Sequence, residues 1–380
     1  MKTNNTGKRV NFISIQHSSG TFANGYQVSP LRTGGEQVIS HRTDDMFAAT
    51  ARMDGTVVNV TDRAILVEYK DGSSQSIQIG RRFGTISGAM LPHQIVANVK
   101  AGQKVSEGDC IAYNSHYFAL DPISPKQVNL KLGVLAKTMI MDNSDTLEDS
   151  SAISATLAEK LGTQITYVRD IVLTFDQSIH ALVSKGQTVA SDDALCIIED
   201  AVTAQNQLFD EDSLDTLRLI SANTPRAKHK GLVERIEVFY NGEMESMSPS
   251  LQEAAAESNR ERKRLARDTN QHYISGQVDE GMRIDGNPLM FQHAVIRVYI
   301  TSQVGCESGD KFVFGNQLKT IMRRVLDGTH ETESGTPIDA IFSYASINNR
   351  IVDSPQIMGT TNTLLKMISK KMYDAYKGVQ

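Results

Sequence analysis

The chain has 380 residues, 40% hydrophobic and 22% charged, so it is long enough for two or three domains and too ordinary in composition to be disordered throughout. No apolar run approaches the roughly eighteen residues of a membrane span, and residues 1–9 are polar and basic, without the apolar centre of a secretory signal. Cys110, Cys196 and Cys306 are far apart and odd in number, which points to a reducing compartment with no disulfide framework and no zinc knuckle. The net charge of −5 does not announce a nucleic-acid binder, but the signs are segregated. Residues 199–215 are acidic, while residues 260–267 carry Arg260, Arg262, Lys263, Arg264 and Arg267 against Glu261 alone. With no tryptophan and only 6% aromatic residues, base stacking is a poor candidate for the main mode of contact.

In chain order, residues 55–69 alternate apolar and polar side chains around a polar turn at 61–63. A second turn at Asp71-Gly72 precedes residues 75–79, and the whole predicts an antiparallel meander. One corner recurs at 99–109, 183–193 and, shortened, at 304–310, each time just before a new strand. Glycine there supplies a positive φ and aspartate ties its side chain to the turn backbone. The irregular spacing excludes a solenoid and suits interlocked β-barrels. Glu148-Asp149-Ser150 leads into a helix predicted over 151–161, with Gly162 beyond it. Ser248-Pro249 opens a second helix to about 267, with serine as N-cap and proline at the first helical position. Ser354-Pro355 opens a third, to about 376 and ended by Gly378. On it Ile357, Leu364, Leu365, Ile368 and Met372 share an apolar face, and Lys366, Lys370 and Lys371 lie on the polar side. The expected class is mainly β with a few helices, α+β.

Several catalytic signatures are missing from the sequence: the phosphate-binding P-loop, the Gly-x-Ser-x-Gly elbow and His-Glu-x-x-His. The nine histidines have no metal-ligand spacing, and Asp210-Glu211-Asp212 reads as part of a solvated acidic loop. What stands out lies between 294 and 359. An apolar strand, 295–300, is followed by Gly309-Asp310-Lys311 and, eight residues on, Lys319. Then come Gly335-Thr336-Pro337-Ile338-Asp339, a strand over 340–343, and Arg350. In order, spacing and residue type this resembles the second half of the catalytic barrel of the β subunit of multisubunit DNA-dependent RNA polymerases. Upstream, residues 99–111, the segment 146–153 with Glu148-Asp149, and residues 231–239 resemble that family's segments in the same order.

The resemblance implies a double-psi β-barrel with an inserted flap or wall. It implies an N-terminal segment (1–44) continuing from a preceding β fragment, a first barrel part (45–165), the flap (166–289), a second barrel part (290–353) and a C-terminal helix (354–380). It also implies a β subunit cut at both ends, as in the fragmented polymerases of giant tailed phages. By the same resemblance Lys311 and Lys319 reach the RNA 3′ end and its phosphates, Arg350 approaches the nucleoside triphosphate, and Glu148 and Asp149 lie near a second magnesium ion shared with the nucleotide. Arg9 is a further triphosphate contact, in a register that Lys8 fits as well. The aspartate triad for the primary Mg2+ belongs to β′-like partner fragments. Other implied partners are the preceding β-like fragment, the DNA template, the RNA transcript, the NTPs and a promoter-specificity subunit at the flap, with no membrane. The basic helix would line a nucleic-acid or partner surface on the flap. The implied place of work is the host bacterial cytoplasm, with packaging in the virion left open.

The sequence also departs from that family. Residues 312–318, Phe-Val-Phe-Gly-Asn-Gln-Leu, stand where the family is glycine-rich with a His and an Arg, and Asn348-Asn349 replaces Pro-Ser before Arg350. Taken singly, each feature has an ordinary reading. A Gly-Asp-Lys is a hairpin turn with a solvated lysine, a Glu-Asp pair caps a helix, and a basic helix is a solvated face. The rival readings of the whole are a non-catalytic phage structural or scaffolding protein that keeps the barrel, and a self-sufficient barrel enzyme.

Overall fold

β-branched and apolar residues at every second position along 55–79 fold as three antiparallel strands, as the alternation predicts. In the computed structural model, which describes residues 22–32, 34–86, 89–131, 133–200, 223–315, 318–333, 335–350 and 353–378, they follow a single helical turn, α1 (Gly35–Val38), and β1 (Ala48–Thr50). The meander is β2 (Gly55–Val60), β3 (Ala64–Tyr69) and β4 (Ser74–Gln78), with β5 (Gly80–Ile86) and β6 (Ala89–Ala97) after it. Next come β7 (Lys104–Val105), β8 (Cys110–Asn114), β9 (Phe118–Leu120), β10 (Val128–Leu130), β11 (Thr138–Ile140) and β12 (Ser150–Ser154). Helix α2 (Ala155–Leu161) leads to β13 (Thr163–Thr174), β14 (Ser178–His180), β15 (Thr188–Val189), β16 (Ile197–Glu199) and β17 (Gly231–Asn241). After α3 (Pro249–Asp268) lie β18 (Arg283–Ile284), β19 (Asn287–Pro288), β20 (His293–Val304), β21 (Lys311–Phe314), β22 (Leu318–Leu326) and β23 (Ala340–Phe342). The chain ends in α4 (Tyr344–Arg350) and α5 (Ser354–Lys377).

Strand accounts for 39% and helix for 21%, so the fold is mainly β, of the α+β kind expected, and no closed barrel is formed among the described residues. Three sheets carry the architecture. The meander and β7 make one, in the order β4-β3-β2-β7. The largest runs β1-β8-β6-β13-β20-β17-β15, with β5 on β6. The third, β11-β23-β12-β22-β21, interleaves residues 138–154 with residues 311–342. Its β11–β23 and β12–β22 pairings are parallel, and β12–β23 and β21–β22 are antiparallel.

The long strands β13, β17 and β20 pair along their lengths and bury Leu173, Val233, Val238, Ala294, Ile296 and Val298 on one face. Helix α3 lays Leu251, Ala255 and Ser258 against this core, and Ser258 Oγ accepts the Val238 N–H at 3.0 Å. The recurring corner behaves as the sequence suggests. Asp109, Asp193 and Asp310 each accept the N–H three residues earlier, from Ser106, Ala190 and Glu307, at 3.0, 2.7 and 2.9 Å. Gly108 and Gly309 supply the left-handed step at φ 82° and 99°, and Asp192 takes it at φ 71° in the middle copy.

Two expected helices fall where predicted. The first does not: residues 150–154 are strand β12, and α2 begins at Ala155 with Ser154 Oγ accepting the Leu157 N–H at 3.2 Å. Ser151, Ala152 and Ile153 are fully buried between β22 and β23, and this pairing overrides the local helical pattern. Ser248 is the N-cap residue of α3 and Pro249 follows it, as expected, but the Ser248 hydroxyl makes no cap bond and donates to the Gln177 carbonyl at 2.6 Å. Helix α5 ends at Gly378, φ 68°, and none of its residues is buried. Among the described residues no helix is long and apolar enough to cross a membrane. Arg9, Lys8 and residues 210–212 lie outside the described residues.

Two histidines tie stability to pH. His93 is buried, and its Nδ1 accepts from Asn114 Nδ2 at 2.9 Å, the arrangement of a neutral ring. His116 stacks on Phe22 with ring centroids 3.9 Å apart. Burial first, then nearby arginines, push both down to about 4. An unfolded histidine takes its proton near 6.5, so below that pH the unfolded state binds more protons than the folded one. Stability is therefore full above about pH 6.5 and lost as pH falls towards 4, by about tenfold in the unfolding constant per pH unit per histidine. Urea unfolding at pH 7, 5.5 and 4.5 measures this; in His93→Gln/His116→Gln the dependence over that window flattens.

Candidate functional site

The hairpin β21–β22 pairs Lys311 with Ile321, Phe312 with Thr320, Val313 with Lys319 and Phe314 with Leu318. Since cross-strand partners share a face and successive residues alternate, Lys311, Val313, Lys319 and Ile321 lie on one face. All four are exposed. The other face carries Phe312, Phe314, Leu318, Thr320 and Met322, of which the last three are buried. Phe314 packs on Phe342 with ring centroids 4.8 Å apart. The aromatic run between the lysines, unlike the glycine-rich resemblance, is therefore core-filling. The backbone relief falls at Gly315, whose φ is 58° and where an added Cβ would stand 3.0 Å from the Pro355 Cβ.

Glu148 and Asp149 end the loop that enters β12. The Asp149 carbonyl accepts the Thr320 hydroxyl at 2.8 Å and the Ile321 N–H at 2.9 Å, which fixes the loop's end beside Lys319. Glu148 is held left-handed at φ 56°, a conformation uncommon outside glycine, and its carbonyl accepts the Ser346 hydroxyl. One turn further along α4, Arg350 Nη2 meets Asp149 Oδ1 at 2.5 Å. Ser346 and Arg350, at i and i+4, lie on one face of the helix and grip successive residues of the loop. Asp142 Oδ1 in turn accepts the Ser343 hydroxyl at 2.8 Å and the Ala345 N–H at 3.3 Å at the start of α4.

Of the six residues singled out from sequence, Glu148, Asp149 and Arg350 are tied together, and the Asp149 backbone is bonded to residues 320–321 next to Lys319. Lys311 and Lys319 stand on the exposed face of the hairpin, while α4 packs Ile347 against Leu318 and Phe342 of the buried face; Arg9 lies outside the described residues. Arg350 is the last residue of a seven-residue helix, α4, which none of the patterns read in the sequence had pointed to. Ser343, whose Oγ accepts the Ser346 N–H at 3.1 Å, is the N-cap signal that could have located this helix. The hairpin offers two exposed lysines and the adjoining loop two exposed carboxylates, while the Arg350 guanidinium is engaged by Asp149 through Nη2 and has its Nη1 buried without a hydrogen-bond partner. An adjacent pair of carboxylates fits a magnesium ion that takes its remaining ligands from water and substrate phosphates.

The basic helix is less uniform than its sequence. Arg262 turns inward, donating to the Val238 and Ser275 carbonyls at 3.3 Å each and lying 4.2 Å over the Phe239 ring. Arg260, Lys263, Arg264 and Arg267 remain exposed.

No protein-family model matches the chain, and no curated protein matches its sequence.

The Asp149–Arg350 pair is half open to water, and such pairs contribute little. Asp149→Asn is expected to change unfolding stability by less than about 1 kcal/mol. Met322→Ala, on the buried face of the same sheet, is expected to cost about 2–5 kcal/mol. Urea midpoints of the two variants check the contrast.

Proposed function

We propose that this chain is the central-to-C-terminal portion of a split β subunit of a viral multisubunit DNA-dependent RNA polymerase, contributing the β-side half of the active site. The observation that carries the reading is that Asp149 and Arg350, 201 positions apart in sequence, are paired and that the same Asp149 is bonded through its carbonyl to β22, the strand that carries Lys319. The spacing of these residues resembles the family's, which supports the reading. The interleaving of 138–154 with 311–342 through two parallel pairings supports a double-psi barrel as the underlying form.

In nucleotidyl transfer the RNA 3′ oxygen attacks the α-phosphorus, a bond to that oxygen forms, and the bond to the bridging oxygen breaks as pyrophosphate leaves. Charge grows on the phosphate oxygens, and preorganised cations stabilise it more in the transition state than in the ground state. Lys311 and Lys319, fixed outward by the buried residues behind them, hold the RNA end and its phosphates. Arg350 orients the triphosphate, exchanging its Asp149 partner for phosphate oxygens. Glu148 and Asp149 would hold a magnesium ion shared with the nucleotide, which supplies further neutralisation of the leaving pyrophosphate. The primary ion falls to a β′-like partner with an aspartate triad, since no stretch of this sequence resembles one.

In a complex reconstituted with such partners, Lys311→Ala or Lys319→Ala is expected to slow single-nucleotide addition by about a hundredfold. Unchanged rates, or polymerisation by this chain alone, would overturn the assignment. A chain that co-purifies only with capsid proteins, and incorporates no nucleotide, would favour the structural rival.

A further inference from the structure

The β12–β22 ladder slips by one residue. Ser151 pairs with Met322 but Ala152 pairs with Arg324, which leaves Arg323 as the extra residue of a bulge. Alternation before the slip puts Lys319 and Ile321 on the exposed face, and Arg324, opposite Ala152, belongs to that face too. The bulge brings Arg323 alongside. Both guanidiniums reach the same carboxylate: Arg324 Nη2 stands 2.8 Å and Arg323 Nε 4.0 Å from Asp145. Arg323 also donates to the Ser144 carbonyl. Side chains of both stay about half exposed, at 50% and 56%, while Asp145 is 11% exposed beneath them. A regular strand would have turned one of two consecutive arginines into the core.

Lys311, Lys319, Arg323 and Arg324 therefore stand on one sheet face, with Asp145 set against the two arginines and the exposed Glu148 and Asp149 on the loop next to Lys319. The nearby Asp310 is turned to its own corner, where it accepts the Glu307 N–H at 2.9 Å. Four residues of strand separate Lys319 from Arg323, roughly 13 Å. Such a track is long enough for more than one phosphate of an extended strand. Val313 and Ile321, 49% and 44% exposed, lie between the cations as apolar ground for sugar faces.

We propose that this bulged face is a binding track for the sugar–phosphate backbone of single-stranded RNA, running from the paired lysines to Arg323 and Arg324. The choice of RNA rests on the proposed function, in which Lys311 and Lys319 hold the transcript's end. The two arginines act as backbone contacts away from the reacting atoms.

The test is binding of a fluorescent single-stranded RNA to the full chain across 50–200 mM KCl. Each phosphate contact contributes about 0.7 to the slope of log affinity against log salt. Arg323→Gln/Arg324→Gln is expected to lower that slope by about 1.4, and Arg323→Lys/Arg324→Lys to retain it. The lysine pair also answers for folding, because it keeps the charge opposite Asp145. An unchanged slope in the glutamine variant, or no RNA bound by the wild-type chain, overturns the proposal. So does displacement of the RNA by an equal concentration of DNA of the same sequence. Nucleotide addition separates the two claims. If the lysine-to-alanine variants slow addition while the arginine variants leave the salt slope intact, the track fails and the polymerase reading stands. The reverse pattern leaves the track and removes the reading.

Discussion

The carbonyl oxygen of Asp149 takes two hydrogen bonds from β22, and the arrangement of the site depends on it. The Thr320 hydroxyl and the Ile321 N–H reach it across 171 and 172 positions of sequence. Closing so long a loop is costly in chain entropy, and hydrogen bonds at about 1 kcal/mol each do not offset it alone. What does is the apolar layer that the same register creates, with Ile153, Met322 and Ala340 fully buried together. Registry and packing are mutually required. A one-residue slip would exchange the buried and exposed faces of β22 and bury Lys319 in place of Thr320.

Once that register is set, the loop at 142–149 has little freedom. Helix α4 holds it through Ser343, Ser346 and Arg350, and β22 holds it through Arg323 and Arg324. The left-handed Glu148 costs about 1–3 kcal/mol, and bonds to the backbone on both sides of that residue offset it. The strain aims the two carboxylates outward while their backbone stays pinned. Arg350 then rests against Asp149 in a closed ion pair, so the guanidinium is not left uncompensated.

Legibility followed the range of the interactions. The meander, the three aspartate corners and the two long helices were readable because turn chemistry and periodicity act within a few residues. The outward direction of Lys311 and Lys319 follows from the register of β21 on β22, which spacing alone does not give. Ser150–Ser154 was misread as helix because carboxylates followed by alanine and serine look helical locally, and only burial between β22 and β23 makes the segment a strand. Helix α4 was missed behind Asn348-Asn349 although Ser343 marks its start. The bulge at Arg323 has no local signature at all, since it is a mismatch between strands far apart in the chain.

The division of labour across the hairpin explains why the sequence between the lysines can depart from the family it resembles. One face answers to the core: Phe314 meets Phe342, and Leu318, Thr320 and Met322 are closed off from water. The other faces solvent. Changes on the inner face are judged by volume and packing, and changes on the outer face by charge. Aromatic residues can therefore replace glycines inward without moving Lys311 or Lys319 off the outer face, provided the strand alternation survives. Gly315 preserves it, because a left-handed residue against Pro355 lets the chain reverse without adding a side chain where α5 begins. The lysines are thus placed by the residues between them, even where those residues differ in kind from the pattern they match in spacing.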